Sequence, residues 1–526
     1  MEKIVARRLA YLAGKQNLIP STQFGGLPNR STSDAILTFV NDIQAAWTHG
    51  KVTTALTFDI KGYFDFVNHN RLINILRTKR IPLPMVRWTA SFLEGREAAI
   101  CLDGTRGEMK AVENGIPQGS PVSPILAAFY SAELLETFEI PKTQGRNRIS
   151  LPDDPTPTTL LMYVDDGKIY VSSDSLETNI WILQRAYART ETWLESVGLS
   201  IDKSKRELMH YTRRKKDNCP AIRLQNADGT VSTIVPGSYV KWLGVQLDRK
   251  LRFDHHVKTL AARAENTVNG LTMLANTVRG LSQVHLRQLY KTCVVPVMTY
   301  ASAAWWTGKK THAKSLERVQ NRALRLICAA FRTTQIHALQ IEASIPPIHL
   351  TLDLELRRAA CRFNKLSTQS PILQRLPDEW RSGRPPRTPP PCKPRGRAED
   401  IRPSTQLQKL AQLTSHRSER IFPYLNPPWR RTGSSFGDRI KINGKDPGKS
   451  KEDAAKDHLE KLKELTTAPH LVMYTDGSQR TIHQTRRVGA GVAIYHEGRE
   501  VKARSCGLGA AAEVYDGELA GLMLAA

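Results

Sequence analysis

The stretch Leu160–Val171, LLMYVDDGKIYV, sets two apolar runs on either side of Asp165-Asp166-Gly167. Acidic residues beside a glycine favour a turn, so the spacing predicts two strands joined at Asp165-Asp166-Gly167. Adjacent carboxylates repel, and a tight turn holding both is costly unless a cation neutralises the pair. Taken alone, such a turn is most often a solvated loop. Upstream, Val52 to Ile60 alternates, with Val52, Leu56, Phe58 and Ile60 on one face and Thr57 and Asp59 on the other. This predicts a strand that delivers Asp59 to a non-core face. A strand-end Asp and a hairpin Asp can meet on one sheet face, where hard oxygen ligands suit Mg²⁺. Two such ions, roughly 3.5–4 Å apart, can activate a hydroxyl and stabilise a departing pyrophosphate in an in-line displacement.

Between these acidic features lies Asn114-Gly115-Ile116-Pro117-Gln118-Gly119-Ser120-Pro121, followed by an apolar helix predicted over Ile125 to Phe138. A loop so punctuated suits a backbone that something approaches closely, although an ordinary helix-initiating loop has the same composition. Further out, Ile36, Phe39, Val40, Ile43 and Trp47 recur at helical spacing, with Ser31, Thr32 or Ser33 available as N-cap. Ile180, Leu183, Tyr187 and Leu194 mark another helix ending near Gly198. One further strand is predicted from Tyr239 to Leu247. Helices alternating with paired strands indicate an α+β domain. From Phe253 to about Phe363 the pattern is helical and basic, and reads as a separate helical module. Pro385–Arg397 (PPRTPPPCKPRGR) and the Gly, Ser and Lys-rich Trp429–Lys451 read as linkers. Order returns at Leu471, where LVMYTDGS begins a new strand pattern.

Lys and Arg number 76 against 50 Asp and Glu, a formal charge of +26 spread along 526 residues, with a pI near 9.9. An excess of this size points to a polyanionic partner, nucleic acid before membrane surface. The length favours several domains. Cys101, Cys219, Cys293, Cys328, Cys361, Cys392 and Cys506 lack the close spacing of a zinc site and read as reduced, mostly buried thiols. The most apolar stretch, Cys293–Trp306, is too short to span a bilayer and reads as a core helix and its exit. Met1–Lys15 is basic and amphipathic, as an organelle transit peptide is, but it runs straight into patterned sequence and reads as a first domain helix.

In order along the chain, six blocks resemble those of reverse transcriptases of LINE-like (non-LTR) retrotransposons: QFGGLPNRSTSDAI, FDIKGYFD, NGIPQGSPVSPIL, YVDD, GLSIDKSKRELM and VKWLGVQLD. The resemblance implies a right-hand polymerase. Its fingers and palm would fill residues 1–250 and its helical thumb 251–365, followed by a basic Pro/Gly-rich linker or connection region over 366–467. It makes Asp59, Asp165 and Asp166 catalytic, with the Ile60 carbonyl as a further ligand of two Mg²⁺ ions, Mn²⁺ being able to substitute. Phe64 becomes a steric gate that leaves no room for a ribose 2′-hydroxyl. Gln118 and Gly119 line the nucleotide pocket, and Lys205, which has Lys203 and Arg206 as rival neighbours, meets the leaving pyrophosphate. VKWLGVQLD becomes a primer-grip hairpin, with Trp242, Leu243 and Gly244 as the grip. The implied partners are an RNA template, a DNA primer and deoxynucleoside triphosphates, with no membrane, and the implied setting is intracellular, nuclear and/or cytoplasmic.

YTDGS (Tyr474–Ser478) and EVYDGEL (Glu513–Leu519) resemble the start of a ribonuclease H-like α/β domain over residues 468–526. Asp476 and Glu518 match its first two metal carboxylates. Two further acidic positions are expected downstream, so this module is expected to be incomplete and inactive by itself. The basic block expected before Glu2 is likewise absent. Two other readings share the palm motifs: a degenerate element remnant that only binds nucleic acid, and an intron maturase, in which the YTDGS segment is not expected.

Overall fold

A computed structural model describes residues 1–139, 157–214, 218–226, 229–275, 280–367, 370–377, 404–413, 427–429, 450–465, 471–482, 485–496, 499–510 and 512–525. The chain divides into two compact units, Met1–Arg430 and Arg431–Ala526. The predicted linkers Pro385–Arg397 and most of Trp429–Lys451 lie outside the described residues.

The first unit opens with helix α1 (Glu2–Lys15), as its amphipathic pattern predicts. Helix α2 (Thr32–Thr48) follows, started by a capping box in which Ser31 and Asp34 satisfy each other's backbone N–H groups. Its Ile36, Phe39, Val40 and Ile43 are fully buried. The central sheet contains β1 (Val52–Asp59), β2 (Thr159–Tyr163), β3 (Asp166–Ser173) and β4 (Glu207–Tyr211), all antiparallel, in the order β2-β3-β1-β4. Both faces of β1 are covered: Leu56, Phe58 and Ile60 join one apolar cluster and Ala55 the other, and Thr53, Thr54 and Thr57 are also buried. The face expected to be free of the core is therefore packed, and Asp59 emerges only because β1 ends there.

Several local expectations shift. The hairpin turn lies at Val164-Asp165 rather than Asp165-Asp166-Gly167, since Tyr163 pairs with Asp166. Gly167 belongs to β3, where a Cβ would fall 2.3 Å from the Phe58 ring on β1. This glycine serves a close crossing, which imitates a turn signal. The helix expected over Ile125–Phe138 is two helices, α3 (Ser123–Tyr130) and α4 (Ala132–Glu136). At the break the Ala127 carbonyl accepts from the Tyr63 hydroxyl at 2.6 Å and also from the Ser131 backbone and side chain. Helix α5 (Leu176–Ser196) ends just before Gly198, as its spacing predicts. Tyr239–Leu247, one strand by its pattern and a hairpin by the family resemblance, is a hairpin, β5 (Tyr239–Trp242) and β6 (Val245–Asp248), turned by Leu243 (φ +46°) and Gly244 (φ +83°).

Helices α6 (Asp254–Leu274), α7 (Val295–Thr299), α8 (Ser302–Trp305), α9 (Lys310–Ile327) and α10 (Ile348–Lys365) make up most of the predicted helical stretch. It does not pack separately, because its core is continuous with α2 and the β5–β6 hairpin. Part of the predicted linker joins the same core: Leu407 and Leu410 of helix α11 (Gln406–Ala411) are buried there, and Gln406 donates to the Trp306 carbonyl. None of the described cysteines is buried, contrary to the reading of mostly buried thiols: Cys101, Cys293 and Cys361 are exposed and Cys219, Cys328 and Cys506 half-buried. Among the described residues no helix is long and apolar enough to cross a membrane.

The second unit has helix α12 (Lys451–Leu465), an antiparallel meander of β7 (Leu471–Ile482), β8 (Thr485–His496) and β9 (Arg499–Gly509), and helix α13 (Val514–Ala525). Gly517 and Gly521, four residues apart on α13, are its buried residues and let the helix lie close against β7 and β8.

Candidate active site

Asp59 ends β1 and Asp166 begins β3, and the two are direct partners across the ladder. Opposed residues of an antiparallel pair point to the same face, with Cβ atoms about 4.5–5.5 Å apart. Asp165 occupies the adjoining turn, where its carbonyl accepts from the Ile60 N–H at 3.3 Å. The turn is strained: Val164 is β-branched yet has φ +63°. A glycine holds it from outside. A Cβ on Gly25 would lie 2.5 Å from Val164 Cγ2 and 2.6 Å from its backbone nitrogen, so only glycine fits there. The Gly25-Gly26 pair was the available signal for this contact in the sequence.

Electrostatics mark Asp165 and Asp166 as poorly compensated carboxylates. Burial raises the Asp165 carboxyl, with the Asp59 charge adding to it. Burial, then the charges of Asp165 and Asp59, push Asp166 up to about 6. Lys205 Nζ meets Asp59 Oδ2 at 2.5 Å, and that hydrogen bond raises the lysine's pKa. Asp202 caps the short turn Lys203–Lys205 through the Ser204 N–H and lies 3.7 Å from Lys205. Of the rival neighbours, Arg206 turns inward to Tyr187, Asn226 and Ser232, and Lys205 is the one that reaches Asp59.

The carboxylate oxygens of Asp59, Asp165 and Asp166 fit a divalent cation in chemistry, and a cation would relieve the repulsion that raises Asp166. Among the described residues, no three His, Cys, Asp or Glu side chains are gathered closely enough to enclose an ion.

Two loops beside the aspartates are laced together. The Phe64 carbonyl accepts from Ile116 N at 2.8 Å, Gly115 N donates to the Val67 carbonyl at 2.8 Å, and Gln118 Nε2 donates to Asp65 Oδ1 at 3.2 Å. Phe64 is half-buried and meets the Tyr63 ring edge-on. Gly119 has φ +89° with open space at its Cβ, whereas Gly115 is packed tightly on the Asp65 carbonyl. Gly115, with φ +90°, thus needs glycine for close approach and for backbone conformation, and Gly119 for conformation alone. A cleft of about 600 Å³ lined by Arg7, Tyr11, Gly26, Arg30 and Tyr163 opens alongside.

Trp242 is a core residue, 1 % exposed, while Leu243 and Gly244 stand half-exposed at the hairpin turn. Sequence reasoning missed what holds Trp242. Lys168 Nζ, fully buried without a hydrogen-bond partner, lies 4.7 Å from the Phe39 ring centroid and 4.8 Å from that of Trp242. Burial lowers this lysine to about 7. In the second unit, Asp476 lies on β7 and Glu518 on α13, both exposed, and a Cβ on Gly477 would fall 2.4 Å from Glu518 N.

Residues 1–247 match the family described as reverse transcriptase (RNA-dependent DNA polymerase). The chain is 25 % identical over 339 residues to the probable RNA-directed DNA polymerase from transposon BS of Drosophila melanogaster, covering 64 % of this chain and 36 % of that protein. It is 24 % identical to the RNA-directed DNA polymerase from mobile element jockey of Drosophila funebris, covering 66 % of this chain and 36 % of the relative. It therefore spans about a third of the length of these curated relatives. Among solved structures, apo telomerase from Candida tropicalis matches 70 % of this chain and 61 % of its own, at 13 % identity and a TM-score of 0.37.

Proposed function

We propose that this chain, whose residues 1–247 match the reverse transcriptase family and whose relatives are RNA-directed DNA polymerases of mobile elements, extends a DNA 3′-hydroxyl on an RNA template. The observation that carries this reading is the register that sets Asp59 opposite Asp166 beside the strained Val164-Asp165 turn. Asp59, Asp165 and Asp166, with the Ile60 carbonyl, would hold two divalent cations, Mg²⁺ by the hardness of the donors. Such ions, when bound, lower the pKa of the attacking hydroxyl and offset charge on the leaving pyrophosphate.

The chain's own residues do the rest. Lys205, paired with Asp59, stands where an ammonium can meet charge that develops on pyrophosphate. Phe64, on the loop laced to Gln118 and Gly119, excludes a 2′-hydroxyl. The Leu243-Gly244 turn supports the primer, and the positive charge spread over the chain attracts its phosphates. Asp476 and Glu518 are proposed as a ribonuclease H-like metal pair, supported by their adjacent elements in the second unit.

Primer extension on an RNA template with deoxynucleotides and Mg²⁺ tests the polymerase reading. Wild type is expected to extend, and Asp165→Asn to lose at least about 10²-fold, as when one preorganised charge-stabilising group is removed. Binding of primer–template without extension by wild type would instead establish a nucleic-acid-binding role without catalysis.

A further inference from the structure

Leu243 is an unfavourable residue for its place. The β5–β6 turn needs positive φ at both central positions, which Asn-Gly meets readily and leucine does not. A turn of this kind keeps its shape only if something outside the hairpin holds it, and the hold comes from the helical stretch. The Tyr300 hydroxyl donates to the Leu243 carbonyl at 2.7 Å. It also lies 3.2 Å from Thr32 Oγ1, at the first residue of α2, whose hydroxyl can donate in return. The Tyr300 ring packs on Gly244, where a Cβ would be 3.2 Å from it.

Tyr300 is itself firmly placed. It follows the end of α7, and the next residue, Ala301, takes φ +52° before α8 begins. The indole of Trp305, 1 % exposed, donates to the Tyr300 carbonyl at 2.8 Å. Tyr163, the last residue of β2 before the aspartate turn, packs against the same apolar cluster as Tyr300 and Leu243. One phenol from the helical stretch therefore links the start of α2 and the hairpin turn, on the apolar cluster that also takes Tyr163, the residue leading into the aspartate turn.

We propose that Tyr300 is a positioning residue: its hydroxyl fixes the Leu243-Gly244 turn relative to the aspartate turn, so that a primer end resting on the former is aligned with the latter. The proposal rests on the polymerase reading for its functional half. Displacement of the helical stretch would release the Leu243 carbonyl and let the turn move, coupling that stretch to the site.

The test is Tyr300→Phe, which removes one oxygen and keeps the ring, in the full chain. Hydrogen exchange at the Leu243, Gly244 and Val245 amides is expected to quicken by about fivefold or more, with the core amides of α2 and β1 unchanged. In primer extension, kcat is expected to fall by up to about tenfold while KM for primer–template changes less than about twofold, since a misaligned primer end still binds but reacts slowly. Unchanged exchange at the turn overturns the proposal, as does faster exchange throughout the core, which would make Tyr300 merely structural. Faster turn exchange with unaltered kcat overturns its functional half. A wild type that extends no primer sinks the polymerase reading, and the exchange measurement still decides whether Tyr300 fixes the turn.

Discussion

Asp59, Asp165 and Asp166 show how little of a candidate site is made by the residues proposed to carry its chemistry. Their placement depends on Gly25, which leaves room for Val164, and on Gly167, which leaves room for the Phe58 ring. Gly167→Ala is expected to cost about 1–3 kcal/mol through overpacking, with Phe58 having to shift against β3. Denaturant unfolding measures this, and an unchanged midpoint would show that the crossing is looser than 2.3 Å implies. For Phe64, beside the aspartates on a loop laced to Gln118, Phe64→Ala is expected to admit ribonucleotides in a primer-extension competition. Unaltered sugar selectivity would remove Phe64 from the nucleotide site. Leucine-rich strands, caps and acidic positions were visible in the sequence. The purpose of Gly167 was not, because a glycine for a close crossing and a glycine for a turn look alike.

At the scale of elements, the β5–β6 hairpin and α6 behave as one structure. Asp248 accepts from the backbone N–H groups of Lys250, Arg252 and Phe253, bending the chain from β6 into α6. His256, on α6, is buried, and its ring nitrogen accepts from Gln246 N at 3.4 Å. Burial first, then the charges of Arg263, His312 and His255, lowers this imidazole to about 4. Since the unfolded chain binds the proton near the ordinary 6.5 and the folded chain only near 4, stability present above about pH 6.5 is lost as the pH falls toward 4. Buried His312, also lowered by burial but hydrogen-bonded to Asp254, adds in the same direction. His256→Gln, neutral throughout and still able to accept from Gln246 N, is expected to flatten the melting temperature between pH 6.5 and 4.5. An identical pH profile in the variant would assign the acid sensitivity elsewhere. The hairpin read as one strand because Leu243-Gly244 interrupts the apolar pattern without a usual turn pair. Its turn is stabilised by Tyr300, 57 positions after Leu243, which no local pattern reports.

At the scale of the molecule, the first unit is joined by contacts distant in sequence. Arg375 donates to both oxygens of Asp42 on α2, which also accepts from the Tyr170 hydroxyl on β3. Leu407, from the stretch read as linker, is fully buried in the core shared by α2 and the helical stretch. Leu407→Ala is therefore expected to lower stability by about 2–4 kcal/mol, the range for a buried leucine truncation. A loss below about 0.5 kcal/mol would return this segment to the linker class, where surface substitutions fall. The sequence by itself determined the alternating helices and strands, the acidic positions, the basic balance and the ordered blocks of the polymerase family, because each rests on local periodicity or a local string of residues. Only the tertiary structure decided that the turn lies at Val164-Asp165, that Asp59 faces Asp166 at the exposed end of a strand otherwise buried on both faces, and that Lys205 rather than Arg206 reaches it. Those outcomes follow from strand register and from which side chains compete for the same space, and both are fixed between segments far apart in the chain.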